Sequence, residues 1–438
     1  MSGKSNSNSS ANASANANAK ANSGAAFAYV TTLFFAWGFV TSVIDPLVAS
    51  VRAVFHLNYT EAMLTQFAWF IAYGVASLPA AALLSRLGYS ASILTALGAM
   101  LLGCLMIPAA TALGLYSGVL AALFVIASGV TLLQVAANPL SAALGKPERS
   151  HFRLTLSQAF NSLGTVLGPR LGASVMLAGG VFATGAAADH AVSRAQSLRA
   201  IDLAFLIVGA FFFAVGALIW SARKRIDAAA PDKAAIAGAP WAAFGSGWAL
   251  FGALAIFLYV GSEVSIGSML TNFLHDNIAA ISMQSAGEMV SFYWGGAMVG
   301  RFLGSGLLTR APAGLLLSIA ALCAAALCLA VTQLAGGAGA YVALTIGLFN
   351  SIMFPVIFTL TLERSSAPTS ATSGLLCMAI VGGAALPVLS GRIADLASTL
   401  TPAFFVPMAG YLGVALFALA AARSRPRTVE RAPTALTH

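Results

Sequence analysis

Two carboxylates occupy positions where charge is costly. Asp45 lies deep in the apolar run FFAWGFVTSVIDPLVA, and Glu263 lies in FLYVGSEVSIGSML. An ionisable side chain at bilayer depth costs roughly 2.5–3.5 kcal/mol on insertion scales, so it usually marks a pathway or a relay. In a water-accessible cavity either carboxylate suits a coupling cation, by taking up a proton or by offering oxygen to a metal ion. The competing reading makes each a structural counter-ion to Arg301 or Arg170, the two basic residues inside apolar runs.

The uncharged polar residues point to a second ligand. Gln134 and Asn138 are four apart, and Gln158, Asn161 and Thr165 follow i, i+3, i+7, so each set shares one helix face. Gln66, Asn272 and Asn350 add amides in three other apolar runs. Amides both donate and accept hydrogen bonds, which suits the hydroxyls of a neutral sugar or polyol. Trp37, Trp69, Tyr73, Tyr259, Tyr293 and Trp294 supply flat faces on which a sugar ring can lie. The candidate sugar ligands are Gln66, Gln134, Asn138, Gln158, Asn161, Asn272, Asn350, Trp37 and Trp294. For any one amide, a hydrogen bond between helices is the alternative. An anionic substrate would want a basic cluster at the midplane, and only Arg170 and Arg301 are available there.

Other chemistries find no residues. Cys104, Cys323, Cys328 and Cys377 fall singly in apolar runs, and His56, His151, His190, His275 and His438 form no ligand-spaced group, so no metal site is expected. No paired carboxylates near an interface or histidine-rich cluster suggest an enzyme, and no cofactor is expected beyond a coupling proton or sodium ion. No basic domain with interleaved aromatics suggests nucleic acid.

These residues must be held by membrane helices. Of the 438 residues 59% are hydrophobic and only 8% charged, against about 25% charged in soluble domains. Runs long enough to cross about 30 Å of hydrocarbon span 27–51, 62–85, 90–112, 115–144, 153–180, 200–221, 246–274, 286–309, 313–333, 338–362, 371–396 and 402–423. Twelve crossings put both termini on one side. With cytoplasmic termini, 16 of the 22 Lys and Arg fall inside, while only Arg52, Arg194, Arg199 and Arg392 fall outside. That is the positive-inside bias. The stretch 1–26 is nearly all Ser, Asn, Ala and Gly and reads as a disordered tail without signal-peptide features.

The chain repeats itself. LLSR ending at Arg86 faces LLTR ending at Arg310; Pro139 faces Pro355, which sets Gln134 against Asn350; Gly164 and Pro169 face Gly382 and Pro387. Residues 27–221 and 246–423 therefore read as two six-helix bundles, joined by a polar linker at 222–245 and followed by a tail at 424–438. Two such bundles suit alternating access, with substrate bound near the midplane between them. Gly164, Gly168 and Gly172, like Gly296, Gly300 and Gly304, form stripes for close helix packing or for hinge motion.

The stretches FFAWGFVTSVIDPL, LLQVAANPLSAALG, HFRLTLSQAFNSLG, YVGSEVSIGS, YWGGAMVGRFLGS and FNSIMFPVIFTL resemble the major facilitator superfamily, specifically its fucose:proton symporter family and the glucose/galactose branch within it. The resemblance implies uptake of a hexose with a cation. Asp45 matches the family's coupling aspartate, and Asn161 an asparagine that lines the sugar cavity. Gln134 stands where the fucose member carries a second coupling glutamate, and Glu263 is similar to a glutamate of the glucose/galactose branch. The change at Gln134 leaves sodium coupling and uniport open beside the favoured proton. The SRLGYSAS loop is a degenerate form of the usual gate motif. The expectation is an all-α, twelve-helix transporter of a bacterial inner membrane, working as a monomer on a monosaccharide. An exporter of amphipathic compounds is the alternative.

Overall fold

The structure, a computed structural model, describes residues 4–427 except 56, 58, 177–189 and 335; the side chains of residues 4–22, Asp45, Gln66 and Arg170 are among those outside the described set. Long apolar segments must satisfy every backbone polar group internally, so each folds as a helix. The first six are α1 (Lys4–Phe55), α2 (Tyr59–Leu87), α3 (Tyr89–Ala112), α4 (Tyr116–Ala143), α5 (Ser150–Met176) and α6 (His190–Ala229). A short α7 (Lys233–Ile236) lies in the linker. The second bundle contains α8 (Gly247–Asn277), α9 (Met283–Leu307), α10 (Ala313–Gln333), the pair α11 (Gly337–Asn350) and α12 (Met353–Arg364), the pair α13 (Thr369–Met378) and α14 (Gly382–Ala397), and α15 (Phe405–Arg423). The tenth and eleventh crossings are thus broken rods, making twelve crossings in all. Below, the face carrying the linker is the linker face and the opposite one the far face.

Helix limits differ most from the sequence expectation in α1 and in α6, which begins at His190, ahead of the expected 200. α1 begins at Lys4, inside the stretch read as a disordered tail. That stretch is rich in Ala and free of Pro, and extending an existing helix needs no new nucleus. α6 runs on to Ala229, past the expected boundary at 221.

Prolines explain the broken tenth crossing and a weak point in the fourth. Pro355 lacks the N–H that would bond the carbonyl of Ser351, and the rod breaks at Ser351–Ile352. Arg301 Nε on α9 bonds that carbonyl instead, at 3.1 Å. At the repeat-equivalent position, Pro139 frees the carbonyl of Val135, and Ser373 Oγ on α13 bonds it from the other bundle at 2.8 Å.

Ten segments among the described residues are long and apolar enough to cross a membrane on length and composition alone. α5 and α9 are the two crossings that fall short. α5 carries His151, Arg153, Gln158 and Asn161, and α9 carries Gln284, Glu288 and Arg301. These two helices pack against each other across the seam between bundles. Elsewhere the bundle surface leaves Phe213, Val388 and Leu416 largely exposed, as lipid-facing side chains should be.

The glycine stripes serve close packing. A Cβ on Gly164 would run into the backbone of Phe35 and Phe39, and one on Gly168 into Ser42 and Phe39. α1 and α5 therefore meet backbone to backbone, which fixes Trp37 and Thr41 beside Gln158 and Asn161. Gly300 plays the same part for α9 against Leu348 and Ser351.

Candidate functional site

Gln158 and Asn161 project from the α5 face that α1 approaches so closely. Asn161 Nδ2 donates to the Phe34 carbonyl at 3.0 Å. Gln134 on α4 is buried, and its Nε2 donates to Tyr73 Oη at 2.8 Å. With Trp37 and Thr41 of α1, these side chains wall one half of a cavity of about 180 Å³ between the bundles; the second bundle adds Tyr259, Glu263, Arg301, Phe354 and Ile380. The volume is on the scale of one sugar ring. The first bundle contributes donors, acceptors and an aromatic face, and the second contributes apolar surface and one ion pair.

That pair joins Glu263 Oε1 to Arg301 Nη2 at 3.6 Å, with both side chains mostly buried. Arg301 Nη1 also donates across the seam to Ser162 Oγ on α5. One guanidinium thus touches α8, α5 and the break between α11 and α12. Removing one member of such a buried pair leaves an uncompensated charge, at a cost of about 3–5 kcal/mol.

A larger space of about 650 Å³ adjoins the cavity towards the far face, lined in part by Ser42, Ser162, Thr165, Ser291 and Trp294. Thr41, Asn161, Glu263 and Arg301 line both spaces and form the neck between them. At the linker face the bundles are bonded together. Ser150 Oγ donates to Glu363 Oε1 at 2.9 Å, His151 Nε2 lies 3.2 Å from the same oxygen, and His151 Nδ1 lies 2.5 Å from Thr359 Oγ1.

The structure brings together Trp37, Gln134, Gln158, Asn161 and Glu263 of the expected site. Asn138 is fully buried behind it, its Oδ1 accepting from Gln158 Nε2 at 3.4 Å. Trp294 stands in the outer space and not in the cavity. Asn350 departs from the expected role: its Nδ2 donates to Tyr293 Oη at 2.7 Å and Tyr411 Oη at 3.3 Å, inside the second bundle. Asn272 is exposed towards the far end of α8 and lines neither space. The side chains of Asp45 and Gln66 lie outside the described residues. Sequence reasoning missed Thr41, Phe354 and Ile380 and cast Arg301 only as a counter-ion. Arg301 carried a signal, a charge within YWGGAMVGRFLGS, whereas Phe354 and Ile380 are ordinary apolar residues whose only mark is their place beside helix breaks.

The family model of the Major Facilitator Superfamily matches residues 25–374. The glucose/galactose transporter of Brucella abortus biovar 1 (strain 9-941) is 42% identical over 406 residues, covering 92% of this chain and 95% of that protein. The L-fucose-proton symporter of Escherichia coli (strain K12) is 29% identical over 408 residues, covering 90% of this chain and 92% of that protein. A crystal structure of the Major Facilitator Superfamily transporter FucP in the outward conformation matches with a TM-score of 0.81 at 26% identity, over 91% of this chain and 99% of that one. With two proline-notched bundles, a polar cavity at their seam and relatives of matching length, the chain belongs to the Major Facilitator Superfamily, in its fucose:proton symporter family and close to the glucose/galactose transporters.

Proposed function

We propose that this protein imports a hexose of the glucose/galactose class together with a proton, by alternating access across a bacterial inner membrane. The observation that carries this reading is the cavity between the bundles, where Gln134, Gln158 and Asn161 face a space of single-sugar size beside Trp37. Amides give paired donors and acceptors for vicinal hydroxyls, and the indole gives a surface for the ring's C–H face. Asn138 positions Gln158. The names of the Brucella and Escherichia relatives, a glucose/galactose transporter and an L-fucose-proton symporter, support a hexose. An exporter of amphipathic compounds would want an apolar cavity, and three amides argue against that.

A proton fits the ion pair better than sodium does. A metal ion on Glu263 would sit beside the Arg301 guanidinium, 3.6 Å from the carboxylate, and the two cations would repel. A proton neutralises Glu263 without adding a second cation. Asp45, four residues after the cavity-lining Thr41, is the second proposed coupling carboxylate. The concentration of Lys and Arg on the linker side supports a cytoplasmic linker face and cytoplasmic termini.

The test is uptake by purified protein in proteoliposomes, with labelled glucose, galactose and fucose under imposed gradients. Accumulation of glucose or galactose driven by an inward proton gradient is the expected result. Accumulation that appears only with sodium reverses the choice of ion, exchange without accumulation makes the protein a uniporter, and neither exchange nor accumulation of any hexose sinks the reading.

A further inference from the structure

Arg301 sits at the boundary of two spaces and on the seam of two bundles at once. The neck between cavity and outer space is formed by Thr41 and Asn161 on one side and Glu263 and Arg301 on the other. Arg301 closes across this neck by donating to Ser162, a residue of the opposite bundle that lines the outer space only. Its Nε is anchored to the Ser351 carbonyl, the acceptor freed by Pro355. With Nε held there, the planar guanidinium can only tilt as a unit, so its two Nη groups shift together. One reaches Ser162 and the other Glu263.

We propose that Arg301 is the gate of the sugar pocket on its far-face side and that Glu263 sets the gate. With Glu263 ionised, the carboxylate, 3.6 Å from Nη2, draws the guanidinium into a closer pairing and off Ser162, and the neck opens. With a proton on Glu263, taken from water in the outer space, that pull ends and Arg301 stays on Ser162, closing the pocket over its contents. The titratable groups packed around Glu263 are Arg301 and Tyr293 of α9, Tyr259 one turn earlier on α8, and Tyr411 of α15. The coupling arm rests on the proposed proton symport; the gate itself does not. Arg301 and Ser162 act here as positioning residues.

Ser162→Ala removes the cross-seam bond while leaving the Glu263–Arg301 pair and the cavity walls in place. Arg301→Lys keeps a cation opposite Glu263 but loses the fork. Ser162→Ala should retain glucose exchange within about two-fold, and in both variants gradient-driven accumulation should fall about ten-fold, the scale expected for loss of one hydrogen bond to a charged group. A role for Arg301 as a bare counter-ion predicts normal accumulation in both, and that result overturns the proposal.

A second readout needs no transport. Ile380→Cys, in a background with Cys104, Cys323, Cys328 and Cys377 replaced by Ser, places a thiol in the cavity behind the neck. A membrane-impermeant thiol reagent added from the far face should label it slowly, and about ten-fold faster once Ser162→Ala is added. Labelling should quicken as the far-side pH rises, and Glu263→Gln should abolish that dependence. Equal labelling with and without Ser162, or unchanged pH dependence in Glu263→Gln, overturns the gate. Failure of the unmodified protein to carry sugar while labelling behaves as described would overturn the proposed function and leave the gate standing.

Discussion

His151 Nε2 and Glu363 Oε1 meet at 3.2 Å from opposite bundles, at the linker-face ends of α5 and α12. Ser150 shares the same carboxylate oxygen, and Arg364 holds the other at 3.2 Å. This cluster ties the linker face shut in the arrangement described, whereas towards the far face the cavity is separated from the outer space by Thr41, Asn161, Glu263 and Arg301. Alternating access requires the cluster to part.

His151 lies at the mouth of α5, before its membrane-crossing stretch, and burial holds its imidazole below the usual histidine range. The neighbouring Glu363 works against that shift, while Arg364 and Arg153 add to it. Since the closed arrangement lowers this pKa, it is favoured while His151 is neutral and loses ground as pH falls through about 6.5, the value of a solvated imidazole. Acidifying the linker side should therefore open that face by a few-fold in the unmodified protein. His151→Gln should respond much less. Sugar release towards the linker side, followed against pH in oriented vesicles, measures the difference.

Gln134 stands on the cavity wall with its amide tied to Tyr73. Gln134→Ala should raise the apparent KM for glucose about three- to ten-fold, the scale of one neutral hydrogen bond, without moving the pH profile of uptake. An unchanged KM would remove Gln134 from the sugar ligands, and an altered pH profile would give it a coupling role.

Asn350 is bonded inside the second bundle to Tyr293 and Tyr411. Asn350→Ala leaves two buried phenols short of a partner, and should cost about 1–3 kcal/mol. A lowered Tm in detergent with an unchanged apparent affinity is the expected pattern. A weakened affinity at normal Tm would return Asn350 to the sugar site.

Gly164 lets α1 and α5 touch through their backbones. Gly164→Val forces these helices apart and displaces Trp37, Gln158 and Asn161 together. Expression and Tm should both drop, by more than about 3 kcal/mol in stability for so large an overpacking. Gly216, which faces open space, should accept Ala without loss and serves as the control.

Asp45→Asn should abolish accumulation of sugar while exchange survives in part. Full accumulation by this variant would leave Glu263 as the coupling carboxylate without Asp45.

Much of the architecture was legible in the residues because a bilayer enforces it. Apolar runs of sufficient length must be helices, and the matches of Pro139 to Pro355 and Arg86 to Arg310 mark a repeat in the sequence. The broken crossings were written in Pro355 and in the Gly382–Gly383 pair, but a continuous apolar run such as 338–362 masks a turn of two residues. For the site, spacing placed Gln158 and Asn161 correctly on one face. Spacing does not say which way that face turns. Asn350 repeats the position of Gln134, yet it bonds two tyrosines of its own bundle while Gln134 fronts the cavity. Trp294 lines only the outer space, and Asn272 lines neither space, placements that residue type alone does not give. The span of Arg301, from the Ser351 carbonyl to Ser162 and Glu263, depends on three chain segments meeting, and no local pattern encodes such a meeting.

The two proline notches are filled differently. Each bundle carries a carbonyl freed by a proline, at Val135 and at Ser351, but the groups that fill them differ in kind. Arg301 fills its notch from within its own bundle, so that bond travels with the bundle and survives every swing. Ser373 fills the other from across the seam, so that bond must break whenever the linker face opens. A carbonyl that gives up a neutral hydroxyl for water exchanges one neutral hydrogen bond for another, at little net cost. This seam contact therefore weighs little, and the preference between the two orientations falls to the charged contacts that cross the seam, Arg301 with Ser162 and His151 with Glu363.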